Sequence, residues 1–72
     1  MGLPQHRRIL GETIRIRRKQ ASLSQERLAE KAELSPKYLG EVERGCVNIS
    51  VDALLRIAKA LRVQVTDLTR GF

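Results

Sequence analysis

The sequence is poor in the residues that enzymes and metal proteins use. Its 72 residues include one cysteine, Cys46, one histidine, His6, and no tryptophan. A single thiol cannot form a disulfide within the chain, and one Cys with one His cannot complete a tetrahedral zinc site. The sequence also offers no paired nucleophile and base and no phosphate-binding loop. We therefore predict that the protein is not an enzyme and needs no metal and no cofactor.

Long apolar runs and a secretion signal are missing as well. No stretch of 18 or more consecutive apolar residues occurs, and residues 1–10 are too polar for a signal peptide. With so little cysteine, the reducing cytoplasm is the compartment that fits best. Apolar residues make up 42% of the chain and charged residues 31%. We expect residues 1–72 to form one globular domain with a single modest core.

Acidic residues are outnumbered by basic ones. Fourteen Lys and Arg stand against eight Asp and Glu, which gives a net charge of +6. The excess lies at the start of the chain, because residues 1–20 hold six basic residues and one acidic residue, whereas residues 21–45 sum to −1 and residues 46–72 to +2. This balance favours a polyanionic partner, either nucleic acid or an anionic membrane.

Apolar periodicity predicts five helices and no strand. Helical spacing runs over about residues 5–20, 25–31, 36–44 and 51–62, and we expect a short last helix capped by Thr66. Ser24, Ser35 and Ser50 each precede such a segment, where a serine hydroxyl can accept a hydrogen bond from a free backbone amide. Gly45 is the expected left-handed residue past the third helix. The sequence therefore predicts an all-α domain.

The second and third helices are separated by only three residues, 32–34, so the chain must turn sharply between them. Ala29 is small where the two helices would cross, and apolar residues at helical spacing can pack the pair. This arrangement predicts a helix-turn-helix unit at about residues 24–45. The alternative is a plain helical hairpin within a small bundle that binds nothing.

An ordered series of motifs resembles the Cro and phage-repressor class of helix-turn-helix proteins, also called XRE-type regulators. The motifs are LGE at 10–12, LSQERLA at 23–29, LSPKYL at 34–39, ERG at 43–45, LLRIAKAL at 54–61 and TDL at 66–68. The resemblance implies a compact five-helix, lambda-repressor-like domain that binds double-stranded DNA and regulates transcription, usually as a homodimer on an inverted repeat. Restriction-modification controllers are similar short chains, so we expect control by protein concentration and no small-molecule effector.

The predicted recognition helix begins at Ser35 and Pro36, and its first residues would enter the major groove. Lys37 is the main candidate for a base contact, since its ammonium can donate to guanine; alternatively it pairs with Glu41. The Glu41 carboxylate can accept from cytosine, although nearby phosphates would repel it. Pro36 has no donor and offers only apolar contact, or simply starts the helix.

Phosphate contacts are expected to supply most of the affinity. Gln25 and Ser35 begin the second and third helices, where free amides suit a phosphate oxygen; the alternative role is capping alone. Tyr38 either offers its hydroxyl to the DNA backbone or packs between helices. Arg44 and Asn48 resemble phosphate contacts of the family.

Two further roles follow from the resemblance and the composition of the tail. In the family, the positions of Arg18 and Glu43 form a buried or half-buried ion pair that joins the first helix to the end of the third. Dimer contacts are expected from apolar residues near the end of the chain, with Ile49 or Leu55 as additions, and the alternative is that they serve the core of the monomer. The expected contacts are Val63, Val65, Leu68 and Phe72.

Three residues depart from the family pattern. Glu33 stands in the turn where the family commonly has Gly, so either the turn differs or a left-handed backbone is strained. Gly40 weakens the recognition helix and allows close approach of DNA or another helix. Arg17 replaces an apolar residue, and we expect Ile16 to take over its packing.

Other functions remain open at this point. The basic, amphipathic first helix would also suit a protein-docking module or a peripheral membrane-binding module. A regulator that binds both DNA and a second protein would have the same fold. The sequence leaves the operator, the regulated genes and the choice between repression and activation open.

Overall fold

The structure is a computed structural model and describes residues 4–71. Five helices and no strand occur in that range, so the predicted all-α architecture is confirmed. The helices are α1 (Gln5–Gln20), α2 (Gln25–Ala32), α3 (Pro36–Glu43), α4 (Val51–Leu61) and α5 (Val65–Thr69).

The predicted serine caps begin the three central helices. The hydroxyls of Ser24, Ser35 and Ser50 each accept a hydrogen bond of 3.0 Å from the backbone amide of the residue three positions later. Pro36 occupies the first position of α3, where a missing N–H costs nothing because no partner exists for it within the helix. Local chemistry therefore determines where α2, α3 and α4 begin.

The residue that precedes and caps the last helix is Gln64 rather than the predicted Thr66, so that prediction was wrong. Gln64 is the residue at the start of α5, and its backbone amide donates to Asp67 Oδ2 at 2.9 Å. The carboxylate three residues into the helix thus satisfies a free amide, as in the second half of a capping box. Because Thr66 lies inside the helix, its hydroxyl is not needed at the start.

The core lies where the five helices meet. α2 packs against α3 and α4, while α1 packs against α3 and α5. The largest side chains with no exposed surface come from all five helices, and they are Ile14, Leu28, Leu39, Ile57 and Leu68. A domain of this size buries little apolar surface, so each of these side chains contributes a large share of its stability.

Leu68, near the end of the chain, does not lie on the surface as a dimer contact would require. Leu68 was expected to contact a second copy, but its side chain is fully buried against the other helices of the same chain. The short α5 can pack on α1 and α4 only by placing this leucine inward. Leu68 is therefore a core residue, and Phe72 lies outside the described residues.

The turn between α2 and α3 has a left-handed residue at position 33. Of the two possibilities given above, a different turn or a strained left-handed backbone, the structure has the second. Glu33 is left-handed, with φ of 58°, and the amide of Leu34 donates back to the carbonyl of Ala29 at 2.8 Å. Arg62 ends α4 in the same way, with φ of 59°. A residue with a Cβ is strained by about 1–2 kcal/mol in this conformation.

The register of α1 differs from the expected local shift. Ile16 is 46% exposed and does not replace Arg17, which is half-buried itself. Gly11 instead determines how α1 is placed, because a Cβ there would lie 2.3 Å from the carbonyl oxygen of Val42 at the end of α3. Only glycine allows the backbones of α1 and α3 to approach this closely.

Candidate nucleic-acid interface

The beginning of α3 projects from the domain. Ser35, Pro36 and Lys37 are all exposed, while Leu39 behind them has no exposed surface and fixes the helix in the core. Lys37 forms no ion pair within residues 4–71, so the alternative pairing with Glu41 is not seen. The ammonium is therefore available to a ligand.

Glu41 and Tyr38 lie at the edges of this projecting end, and both are half-buried. The Tyr38 hydroxyl accepts a long hydrogen bond, 3.5 Å, from the backbone amide of Ser50 at the start of α4. The tyrosine thus packs between α3 and α4, as one of its two predicted roles required. Tyr38 lines an open groove together with Ser35 and Ser50.

The ends of α1 and α3 are joined by the ion pair of Arg18 and Glu43. Nε of Arg18 lies 2.7 Å from Oε2 of Glu43, and Nη2 donates to Oε1 at 3.1 Å, so the pair is bidentate. The remaining terminal nitrogen, Nη1, donates to the carbonyl of Leu23 at 2.9 Å. The glutamate side chain is only 3% exposed, and these contacts supply the partners that a buried carboxylate needs.

Gln25 adds a third side chain to this ion pair, which the sequence analysis missed. Its Nε2 donates to Oε1 of Glu43 at 3.0 Å. The first residue of α2 is thereby held against the last residue of α3. A glutamine at a helix start has many candidate partners, and no signal in the sequence singles out Glu43.

The loop after α3 carries the two other predicted phosphate contacts. Arg44 and Asn48 are exposed, and Gly45 between them has the predicted left-handed backbone, with φ of 76°. A Cβ on Gly45 would lie 3.1 Å from the backbone of Arg8. The loop therefore lies directly against the basic helix α1.

Basic residues of α1 and α3 share one open groove. Arg8 and Arg15 line it from α1, and Arg44 lines it from the end of α3. Glu12 is in the same groove and pairs with Arg15 at 3.3 Å. The groove thus continues the positive charge of the amino-terminal third to the end of α3.

The predicted dimer residues are only partly on the surface. Val63 and Val65 are half-buried against the core, whereas Leu55 on α4 is 52% exposed. Val51, one turn earlier on the same helix, is 73% exposed and was not predicted. The apolar surface of this region is therefore on α4 and on the connection from α4 to α5.

Residues 4–71 contain no group of three or more His, Cys, Asp or Glu that is arranged to hold a metal ion. None of the helices in this part of the chain is long and apolar enough to cross a membrane.

Comparison with known proteins decides the family. The chain matches HTH_3, a helix-turn-helix family, over residues 14–68. The chain belongs to this family. The match includes α2, α3 and the turn between them, so the predicted family membership is confirmed. HTH_3 is a family of DNA-binding transcription regulators, and this chain is one of them.

Individual HTH_3 proteins are similar over most of the chain. Control protein C.BamHI of Bacillus amyloliquefaciens is 41% identical over 63 residues, which cover 86% of this chain and 78% of the relative. Three longer relatives also match, and the chain spans 41% of the length of each.

Two solved structures support the fold. The restriction-modification controller protein C.AhdI from Aeromonas hydrophila is 35% identical, with a TM-score of 0.88 and coverage of 90% of this chain and 98% of that one. The P22 c2 repressor protein, in complex with a synthetic operator, is 30% identical, with a TM-score of 0.82 and coverage of 89% and 97%.

Proposed function

We propose that this regulator recognises its operator by placing the first residues of α3 in the major groove of double-stranded DNA. The observation that carries the proposal is the exposed start of α3, where Lys37 has no ion-pair partner within residues 4–71. A lysine in the major groove donates to O6 and N7 of guanine. Pro36 beside it adds only apolar contact, and Glu41 accepts from the amino group of cytosine.

Phosphate contacts surround this end of α3 in the proposed complex. The residues that we propose as donors to the phosphates are Gln25, Ser35, Tyr38, Arg44 and Asn48. Four of them line the exposed side of α3 or its neighbouring loops, and Gln25 is held there by Glu43. Such contacts set the register of a protein on DNA without reading a base.

A homodimer on an inverted repeat completes the proposal. Two copies would place their α3 helices about 34 Å apart, one turn of DNA. The exposed side chains of Val51 and Leu55, together with the half-buried Val63 and Val65, are the apolar surface that supports dimer formation. We further propose a cytoplasmic location and control by protein concentration, with residues 1–72 acting as one DNA-binding domain.

Selection from random duplex DNA near 0.15 M salt tests the proposal directly. We expect enrichment of an inverted repeat, with an affinity that falls steeply as salt rises because phosphate contacts release counterions. Lys37→Gln should lose about 1–3 kcal/mol of discrimination at one base pair in each half-site.

The selection with Lys59→Gln is the matched control, because it removes a lysine that is exposed on α4. This variant should keep the preferred sequence of the wild type. Retention of DNA without any preferred sequence would contradict sequence-specific recognition. A lack of retention even at low salt would contradict DNA binding and favour the protein-docking or membrane-binding alternatives.

A further inference from the structure

Gly40 lies in the interior of α3 and is buried, although glycine weakens a helix at such a position. A Cβ built on it would lie 3.2 Å from Nη1 of Arg44 and 3.8 Å and 3.9 Å from the side-chain oxygen and nitrogen of Gln25. The space that a side chain at position 40 would fill is therefore lined by the guanidinium of Arg44 and the side-chain amide of Gln25. We call this space the Gly40 cleft.

The position of Arg44 explains why this cleft exists. Arg44 follows Gly40 by four residues, and side chains on a helix lean back toward its amino terminus, over the residue four positions earlier. A side chain longer than that of alanine at position 40 would therefore occupy the space that the guanidinium uses. Gln25 enters the same space from the start of α2.

The donors at the Gly40 cleft are not used up within the domain. Arg44 forms no side-chain ion pair within residues 4–71. The amide nitrogen of Gln25 carries two hydrogens, and one is donated to Glu43 at 3.0 Å, which leaves the other. Arg18 already neutralises the Glu43 carboxylate with two contacts. The cleft thus presents a cation and an amide donor to an anion.

We propose that Gly40 is a positioning residue for DNA binding, because its missing side chain lets Arg44 and Gln25 bind the same DNA phosphate from two sides. The planar guanidinium of Arg44 donates to two oxygens of the phosphate. The side-chain amide of Gln25 donates a third hydrogen bond to the same phosphate. This inference rests on the proposed function and adds a role for a residue that contacts no base. It also assigns a role to the glycine at the centre of α3.

A double-mutant cycle tests the proposal with the full chain and the selected operator duplex. The variants are Gly40→Gln, Arg44→Gln and the double variant, and dissociation constants are measured over a salt series. Arg44→Gln should weaken binding about tenfold, as expected for the loss of a charge-assisted hydrogen bond. The plot of log affinity against log salt should become less steep by about 0.9, which corresponds to the loss of one phosphate contact. Gly40→Gln should cause a similar loss, and the double variant should bind no more weakly than Arg44→Gln alone.

Two further variants control this cycle. Gly40→Ala needs the guanidinium to move by only a few tenths of an ångström, so it should lose affinity less than Gly40→Gln. It also provides a folded variant in case the larger side chain disturbs the domain, since alanine favours a helix over glycine. Lys59→Gln removes one positive charge from α4 and should leave the salt slope unchanged.

An equal loss from Gly40→Gln in the wild-type and Arg44→Gln backgrounds would overturn the proposal, because it would indicate a direct clash with DNA. Unchanged affinity in a folded Gly40→Gln variant would overturn it as well. If the wild-type chain binds no DNA, the proposed function fails first, and this result is seen before any variant is compared.

Discussion

At the scale of single residues, the ion pair of Arg18 and Glu43 illustrates how burial changes the contribution of a charged side chain to stability. Removing two charges from water is costly, and a buried pair repays that cost only when its geometry is good and its remaining polar atoms have partners. Both conditions hold here, because the pair is bidentate and Leu23 and Gln25 supply further hydrogen bonds. The loss of one partner would leave the other charged, buried and unpaired.

We therefore predict that Glu43→Ala lowers the free energy of unfolding by about 3–5 kcal/mol. In a domain of this size, such a loss lowers the melting temperature by more than about 12 °C. Thermal unfolding followed by circular dichroism measures this change. Glu41→Ala, on the same helix but without an ion pair, is the control and should change the free energy of unfolding by less than about 1 kcal/mol. Equal melting of the Glu43→Ala variant and the wild type would contradict the prediction.

At the scale of helices, the start of an element was predictable wherever one local interaction determines it. Ser24, Ser35 and Ser50 cap their helices as the sequence indicated, because a capping hydroxyl and its amide are only three residues apart. The family match followed from the same local patterns, since spacing between short motifs is visible in a sequence.

Tertiary packing decided the elements that the sequence did not predict correctly. α5 begins at Val65 rather than after Thr66, because this start places Leu68 in the core and lets Asp67 satisfy the amide of Gln64. Ile16 stays exposed because the close contact at Gly11 holds α1 in its register. These contacts join distant parts of the chain, so no short stretch of sequence contains them.

The turn between α2 and α3 gives a prediction about a single position. Glu33 is left-handed, and glycine adopts this conformation without strain. Glu33→Gly should therefore raise the free energy of unfolding by about 0.5–1 kcal/mol, after allowing for the greater freedom of glycine in the unfolded chain. Chemical denaturation with urea measures this change in the free energy of unfolding.

Glu30→Gly is the matched control, because residue 30 lies inside α2 rather than at its end. This change should lower the free energy of unfolding by about 1 kcal/mol, as expected for glycine within a helix. A loss of stability in Glu33→Gly similar to that in Glu30→Gly would show that the strain at residue 33 is smaller than we infer.

At the scale of the whole molecule, the arrangement of the candidate site was less predictable than its composition. The sequence indicated an exposed Lys37 and a basic first helix, because both follow from residue type and helical spacing. It did not indicate that Gln25 binds Glu43 and lies beside Gly40, since these contacts depend on how α2 and α3 are packed.

The proposed homodimer predicts the effect of a charge on α4. Leu55 is 52% exposed, so Leu55→Lys should leave the monomer folded while placing a charge in the proposed apolar interface. Analytical ultracentrifugation at tens of micromolar should show a dimer for the wild type and a monomer for the variant. DNA affinity should fall because two linked half-sites bind more tightly than one.

Ile16→Lys is the control for this prediction, because Ile16 is similarly exposed, at 46%, but lies on α1. This variant should sediment as the wild type does. A wild-type chain that stays monomeric at these concentrations would contradict the homodimer, and an unchanged dimer in Leu55→Lys would place its interface elsewhere.

The contact between α1 and α5 has a consequence for how the protein is made. α1 leaves the ribosome first, yet one of its packing partners is the helix that carries Leu68 and is synthesised last among the five. Gly71 even lies beside Ile9, since a Cβ on Gly71 would be 2.8 Å from the Cγ2 of that isoleucine. The core around Leu68 can therefore close only after α5 has emerged from the exit tunnel, so the packing of α1 against α5 forms late in synthesis.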